Sequence, residues 1–327
     1  MNRNGRLRGW GGVGGMALAC AAAASLLVPL ARHEAGGDGA RTGGPGIAQG
    51  VQAKADTCKD PEASLPPSGE DGPSIAAIKK RGKLIAGVDQ NSFRWGYRNL
   101  ANGRLEGFDI ELVRAIAQNI LGDPDAVIYR AIPTSQRIPA LQNKQVDVVA
   151  RTMTINCKRI GQVAFSSAYF KAGQQVLAPK GSKITGLDSS LKGKKVCVAA
   201  GSTAYDALEK NAYGAVYKTK DLTVPNQLDC LVRLQLGQAD AVVTDSALAA
   251  SQAAQDPTVK LMGDPVTEEY YGVATNLENT DLVRRINQVL VDYRAGGDNS
   301  PWMKAYRTWL AADLPGISGP PEPKYRS

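Results

Sequence analysis

Leu141-Gln142-Asn143-Lys144-Gln145-Val146-Asp147-Val148-Val149 recurs 93 positions further on as Leu234-Gln235-Leu236-Gly237-Gln238-Ala239-Asp240-Ala241-Val242. The copies share Leu, Gln, Gln, Asp and Val at matching places. Each opens inside a helical pattern, Ile138 and Leu141 in one and Leu228, Leu231 and Leu234 in the other. Each ends in a short apolar run of the kind that forms a buried parallel strand. Helix, turn and strand therefore occur twice.

A second echo extends the pattern upstream. Gly82-Lys83-Leu84-Ile85-Ala86-Gly87-Val88 and Gly193-Lys194-Lys195-Val196-Cys197-Val198-Ala199 both read as a turn entering a buried strand. An amphipathic helix follows the first, from Phe108 to Leu121. Its apolar face carries Ile110, Val113, Ile116 or Ala117, and Ile120, and its first turn carries Asp109 and Glu111. A helix near Thr203 to Asn211 follows the second. Strands alternating with helices imply an α/β chain with mostly parallel sheets covered on both faces, and two such units imply two lobes.

Ligands of open α/β sheets lie beyond the carboxyl ends of the strands. After the first repeated strand the chain reads Arg151-Thr152-Met153-Thr154-Ile155-Asn156-Cys157-Lys158-Arg159, and after the second Thr244-Asp245-Ser246. One lobe offers hydroxyls and a guanidinium, the other a carboxylate, which is complementary to a zwitterion. The carboxylate and ammonium of an α-amino acid are each costly to bury without a charged, hydrogen-bonded partner. Arginine's planar fork suits the first and aspartate the second. Partners on opposite lobes would let the ligand hold the cleft closed. Asp245 also stands where a cap would for a helix from Ser246 to Gln255.

At these residues the chain resembles the polar amino-acid solute-binding proteins of ABC importers, the glutamate/glutamine family with the type II periplasmic-binding fold. The motifs are Gly107-Phe108-Asp109-Ile110-Glu111-Leu112, Ile138-Pro139-Ala140-Leu141-Gln142, Met153-Thr154-Ile155 with Arg159, Ala164-Phe165-Ser166 with Tyr169, and Gly237-Gln238-Ala239-Asp240-Ala241-Val242. They run in family order over about Ser74 to Leu310. The resemblance implies that Arg159 binds the ligand α-carboxylate, helped by Thr154 and by backbone N–H and hydroxyl groups of the Ser202-Thr203 turn. It implies that Asp245, with Thr152 alongside, takes the α-ammonium. Arg137, in Thr134-Ser135-Gln136-Arg137, matches an arginine that acidic-amino-acid binders set against the side-chain carboxylate, which favours glutamate or aspartate. The loop from Asp89 to Trp95 matches the segment that covers the ligand. Cys157 and Lys158 replace the family's usual residues before Arg159.

The course of the chain follows. Residues 74–176 and 271–315 are expected to form lobe 1, residues 177–270 lobe 2, and 316–327 a tail without its own core. The return strand is placed at Tyr270 to Thr275, with helices near Thr280 to Arg294 and Asn299 to Leu310, the last holding Trp302 and Trp309 as packing. Two crossings make a hinge.

The 327 residues are enough for about two domains at ~150 residues each. With 43% hydrophobic and 21% charged residues, the chain can build a packed core. The single histidine, His33, lies in a Gly-rich stretch, so His-dependent triads and His-ligated zinc are not expected. No metal or cofactor is expected, and the reading is a binding protein rather than an enzyme. Net charge is +8, but setting aside Arg3, Arg6 and Arg8 leaves 36 basic against 31 acidic residues. No basic run is interleaved with aromatics, and no nucleic-acid partner is expected.

Those three arginines precede an uncharged Ala-, Leu- and Val-rich stretch to Ala31, so residues 1–31 read as an export signal or membrane anchor. Ala17-Leu18-Ala19-Cys20 resembles a lipobox with Cys20 as the lipidated residue, although Ala17 stands where Leu is usual. An uncleaved anchor from Trp10 to Leu30 fits as well, with a freely secreted form third. Residues 32–73, Gly-, Ala- and Pro-rich, read as a flexible linker holding an exported body at the outer face of the membrane. Of the five cysteines, Cys58, Cys157, Cys197 and Cys230 remain for two disulfides in an oxidising compartment. Three pairings are possible. Cys197, in an apolar run, and Cys230, in a helix-like segment of the same half, are the favoured partners, which leaves Cys58 with Cys157.

The leading expectation is a tethered monomeric receptor that captures glutamate or a related polar amino acid for ABC permease subunits. The alternatives are a same-fold sensor that passes its ligand state to a signalling partner and, behind it, a same-fold dehydratase.

Overall fold

The computed structural model describes residues 58–326. Its first part runs through α1 (Pro73–Arg81), β1 (Leu84–Val88), a meander of β2 (Asn91–Ser92), β3 (Gly96–Arg98) and β4 (Leu105–Glu106), then α2 (Phe108–Leu121) and β5 (Val127–Ala131). There follow α3 (Arg137–Gln142), β6 (Val148–Val149), α4 (Cys157–Ile160) and β7 (Ala164–Phe165). The chain then crosses through β8 (Phe170–Ala172) into β9 (Gln174–Pro179), β10 (Val196–Ala199), α5 (Thr203–Lys210), β11 (Thr223–Val224), α6 (Gln227–Gln235), β12 (Ala241–Asp245), α7 (Ser246–Gln255) and β13 (Val259–Met262). It returns through β14 (Glu269–Tyr271) to β15 (Ala274–Thr275), α8 (Thr280–Arg294) and α9 (Pro301–Trp309).

The repeat becomes β6 with its preceding helix in one sheet and β12 with its preceding helix in the other. Asp147 and Asp240, shared by the copies, do the same work. Asp147 Oδ2 accepts from the Ile85 amide and Asp240 Oδ2 from the Lys195 amide, each at 2.7 Å, so each ties its strand to the start of the neighbouring one. The turn before each strand needs a left-handed residue, filled by Lys144 (φ 53°) in one copy and Gly237 (φ 66°) in the other.

The first sheet has the order β5-β1-β6-β15-β7 and the second β11-β10-β12-β9-β13. In each, three strands are parallel, β5-β1-β6 and β11-β10-β12. The strand delivered by the crossing chain, β15 or β9, joins antiparallel. The sheets are therefore mixed, because a strand that enters from the hinge runs against those that leave toward it. The two crossings, β8 and β14, pair antiparallel as a short ribbon, with Tyr271 opposite Phe170 and Glu269 opposite Ala172. The first crossing precedes the expected boundary, since Gln174 to Val176 already belong to β9. The expected return strand from Tyr270 to Thr275 is divided between β14 in the ribbon and β15 in the first sheet.

An aromatic cluster underlies the ribbon. Trp95, Phe108, Tyr169, Phe170, Tyr271 and Trp302 are each at most 1% exposed, and Trp302 Nε1 donates to the Tyr169 carbonyl at 2.8 Å. Ala247 and Leu248 of α7 join the same core, and Trp95 Nε1 donates to the Ala247 carbonyl at 3.3 Å.

Both disulfides form as read from the sequence, Cys58 with Cys157 and Cys197 with Cys230. The linker reading needs correction over its end. Ser64 is buried, donates to the Phe165 carbonyl at 2.6 Å, and is held with Leu65 by Asn287 Nδ2. Its backbone pairs with the C-terminal tail, which lies along it. Saturated hydrogen bonds and the Cys58 anchor fix this stretch despite its prolines. The signal or anchor, Cys20, His33 and the rest of the linker lie outside the described residues. Among the described residues no helix is long and apolar enough to cross a membrane.

Candidate functional site

The side chains at the carboxyl ends of β6 and β12 are buried, Arg151, Thr152 and Thr154 after the first and Asp245 at the second. Thr152, just past β6, adopts a left-handed backbone (φ 42°), an uncommon conformation for a β-branched residue. Asp109 at the start of α2 holds it: the Thr152 amide donates to Oδ2 at 3.0 Å and the Tyr169 hydroxyl to Oδ1 at 2.7 Å. Burial lifts the Asp109 carboxyl to about 7 against those two hydrogen bonds. Thr152 is thus fixed through its backbone to its own lobe.

Arg159, on α4, is 4% exposed. Its Nη1 donates to the Thr154 carbonyl at 2.7 Å and its Nη2 to the Gly201 carbonyl of the other lobe at 3.1 Å. Asn156 caps α4 by accepting from the Arg159 amide, which sets the helix and hence the guanidinium. Across the cleft, Asp245 ends β12. It occupies the N-cap position of α7, yet its carboxylate makes no capping bond. Oδ1 instead accepts from Gln174 Nε2 at 2.5 Å and Oδ2 from the Tyr271 hydroxyl at 2.6 Å. Burial, then the nearby Glu269, push the Asp245 carboxyl up to about 7; the two hydrogen bonds and the charge of Arg137 oppose them. The charges of Asp245 and Glu269 both reach Arg159, placing these groups in one electrostatic neighbourhood.

Several expected ligand contacts are engaged by the protein itself. The hydroxyls of Thr154 and Thr203 donate to Glu269 Oε2 at 2.6 and 2.8 Å. Ser202 caps α5 by accepting from the Tyr205 amide and donates to the Ala199 carbonyl. What the Ser202-Thr203 turn still presents is the first helical amides of α5, which have no acceptor within the helix. Arg137 is buried and its fork is directed to carbonyls, those of Thr134 (2.9 Å), Arg151 (3.2 Å) and Gly201 (3.3 Å). An arginine so engaged braces the cleft wall. Arg159 shares the Gly201 oxygen with it, so the two guanidinia stand side by side at this wall.

Arg151 stands just past β6. Its side chain is fully buried and forms an ion pair with Asp89 at 2.7 Å, while Nη1 donates to Thr134 Oγ1 and Nη2 to Asn226 Oδ1. Asp89 is saturated further by the amides of Gln90 and Asn91 and the Ser92 hydroxyl. Thr134 reaches the second lobe through Gln227 and the Pro225 carbonyl. Two buried polar atoms in this constellation lack partners, the donor Arg151 Nε and the acceptor Gln174 Oε1. A cavity of about 300 Å³ opens beside it between Arg137, Met153, Arg159 and Gly201, and the Lys158 to Asp206 ion pair spans the lobes there at 3.1 Å.

Glu269, Gln174 and Arg151 are the residues that sequence reasoning missed. The first two stand at the ends of the hinge crossings, in segments with no repeat to mark them. Arg151 was legible only as one letter of the strand tip.

Comparison with known proteins now bears on this arrangement. The model of the bacterial extracellular solute-binding proteins, family 3, matches residues 84–312. The chain belongs to that family. A relative in Bacillus subtilis (strain 168), the ABC transporter glutamine-binding protein GlnH, is 35% identical over 240 residues, covering 73% of this chain and 85% of its own. The glutamine-binding protein of Geobacillus stearothermophilus is 35% identical over 213 residues, covering 65% and 80%. Among solved structures, an ancestral arginine-binding protein bound to glutamine superposes with a TM-score of 0.62 at 36% identity, covering 70% of this chain and 98% of its own.

Proposed function

We propose that this family 3 protein is the extracytoplasmic receptor of an ABC importer, tethered at the outer face of the membrane and acting as a monomer, and that its ligand is a polar amino acid with an uncharged side chain, glutamine foremost. Arg159 and the first amides of α5 take the α-carboxylate and Asp245 the α-ammonium, so a zwitterion joins the lobes. The buried Asp89 and Arg151 pair carries the side-chain preference. Arg151 is already neutralised, and its orphaned Nε suits a neutral acceptor such as a carboxamide oxygen. A second carboxylate there would meet Asp89 at close range, a repulsion that a low local dielectric enlarges.

The sequence reading favoured glutamate or aspartate through Arg137. That guanidinium is engaged by four backbone oxygens, Thr152 included, and the side-chain preference is assigned here to Asp89 and Arg151 instead. The relatives named for glutamine point the same way. Calorimetric titration tests the proposal: glutamine should bind one to one at about micromolar Kd, about −8 kcal/mol, and glutamate at least tenfold more weakly. Tighter binding of glutamate would overturn the specificity. Binding of no amino acid would overturn the function.

A further inference from the structure

The acids of the second lobe are better furnished than one ammonium partner requires. Gln174 is the first residue of β9 and fully buried. Its main chain is fixed on both sides, the amide donating to Thr267 Oγ1 and the carbonyl accepting from Val266. Its side-chain Nε2 lies 2.5 Å from Asp245 Oδ1, 2.9 Å from Glu269 Oε1 and 3.1 Å from Thr203 Oγ1. The reverse amide orientation would set oxygen against two carboxylates, so the nitrogen faces the acids and the oxygen is defined as an acceptor. That Oε1 is buried and has no partner. Glu269 is 8% exposed and begins the return crossing, so the three side chains come from the entering strand, the site strand and the returning strand.

Two adjoining buried carboxylates are costly unless a cation or several donors meet them. An amide NH2 offers two hydrogens. A primary ammonium offers three and a full positive charge.

We propose that Gln174 and Glu269 complete, with Asp245, a three-acceptor cage that selects an unsubstituted ammonium group and makes ligand capture release a proton. This rests on the reading of the cleft as an amino-acid site and extends it to two residues outside that reading. The groups facing Asp245 are Glu269 and Tyr271 from β14, Gln174 from β9, Arg137 from α3 and Arg159 from α4. Without ligand, burial and Glu269 keep the Asp245 carboxyl at about 7. A bound ammonium stabilises its ionised form, so below that pH binding must expel a proton. Affinity therefore rises as pH climbs toward 8, by up to tenfold per unit on the acid side.

Calorimetry of the full chain at pH 6 and pH 8, in buffers of different ionisation enthalpy, reads both parts. Three probes are used: L-glutamine, Nα-methyl-L-glutamine and the deaminated 4-carbamoylbutanoate. The wild type should bind glutamine with proton release at pH 6, and should discriminate against the methylated probe by about tenfold or more, the loss of one charge-assisted hydrogen bond. Glu269→Gln, which keeps shape and can still bond to the threonines, should weaken glutamine about tenfold. Gln174→Leu should shrink the discrimination between the amine and its methyl derivative. Thermal melts without ligand separate both effects from misfolding. Glutamine binding with no proton exchange and unchanged discrimination in both variants would overturn the cage while leaving the amino-acid receptor standing. Failure of wild type to bind any amino acid would remove both.

Discussion

Arg159 of the first lobe donates to the backbone carbonyl of Gly201 in the second, 3.1 Å away, and Arg137 donates to the same oxygen. Gly201 has φ 74° and lies close to Ser135, so a side chain here would be strained and crowded. The turn that presents this oxygen also opens α5. One short segment therefore braces the lobes and begins α5.

Arg159→Ala should lower glutamine affinity about a hundredfold or more. It removes a bidentate, charge-assisted contact in a buried site, where each hydrogen bond to a charged group is worth about 1.5–3 kcal/mol. Calorimetry measures the loss, and an unchanged melting profile of the ligand-free protein assigns it to binding.

Asp89→Asn should narrow or reverse the preference for glutamine over glutamate. The substitution keeps an acceptor for Arg151 and removes the neutralising charge, leaving the guanidinium to seek a carboxylate. Arg137→Ala, in contrast, should weaken both ligands by a similar factor, because Arg137 braces carbonyls. Parallel titrations of the two amino acids give the ratios that decide it.

Asp109→Asn should flatten the pH dependence of stability. The Asp109 carboxyl is raised in the fold, from an ordinary value of 3.8 to about 7, so the folded state holds its proton over a range where the unfolded chain releases it. The wild type therefore loses stability as pH rises from about 4 to 7. Melting temperatures of the two proteins across that window should converge at the acid end and separate toward neutrality, with the variant the more stable there.

How much of this was legible in sequence divides by range. The repeat exposed both sheets, because Asp147 and Asp240 perform one local duty and the left-handed turn recurs as Lys144 and Gly237. Arg159 and Asp245 were legible because each follows a repeated strand within a few residues. Gln174 and Glu269 were not, since their meeting depends on two hinge strands pairing across almost a hundred residues of chain. Ser202, Thr154 and Arg137 also meet local demands that sequence does not show, a helix cap, a buried acid and neighbouring carbonyls. Residues 58–72 read as linker because they carry three prolines and two glycines and no apolar periodicity, while the bonds that fix them come from Asn287 and Cys157.

Removing the Cys197 to Cys230 bridge by paired Ser substitution should lower stability by about 4 kcal/mol, and removing Cys58 to Cys157 by about 5 kcal/mol, on the chain-entropy account of loops with sequence separations of 33 and 99. Urea unfolding of each variant against wild type measures this. The second loss should also weaken ligand binding, because Cys157 begins the helix that carries Arg159.

The most direct measurement is a crystal structure of the protein grown with L-glutamine. The expected density places the α-carboxylate on Arg159 and the α5 amides, the ammonium on Asp245, and the carboxamide beside Arg151 and Asp89. Glutamine seated away from either Arg159 or Asp245, or contacting one lobe alone, would contradict the account.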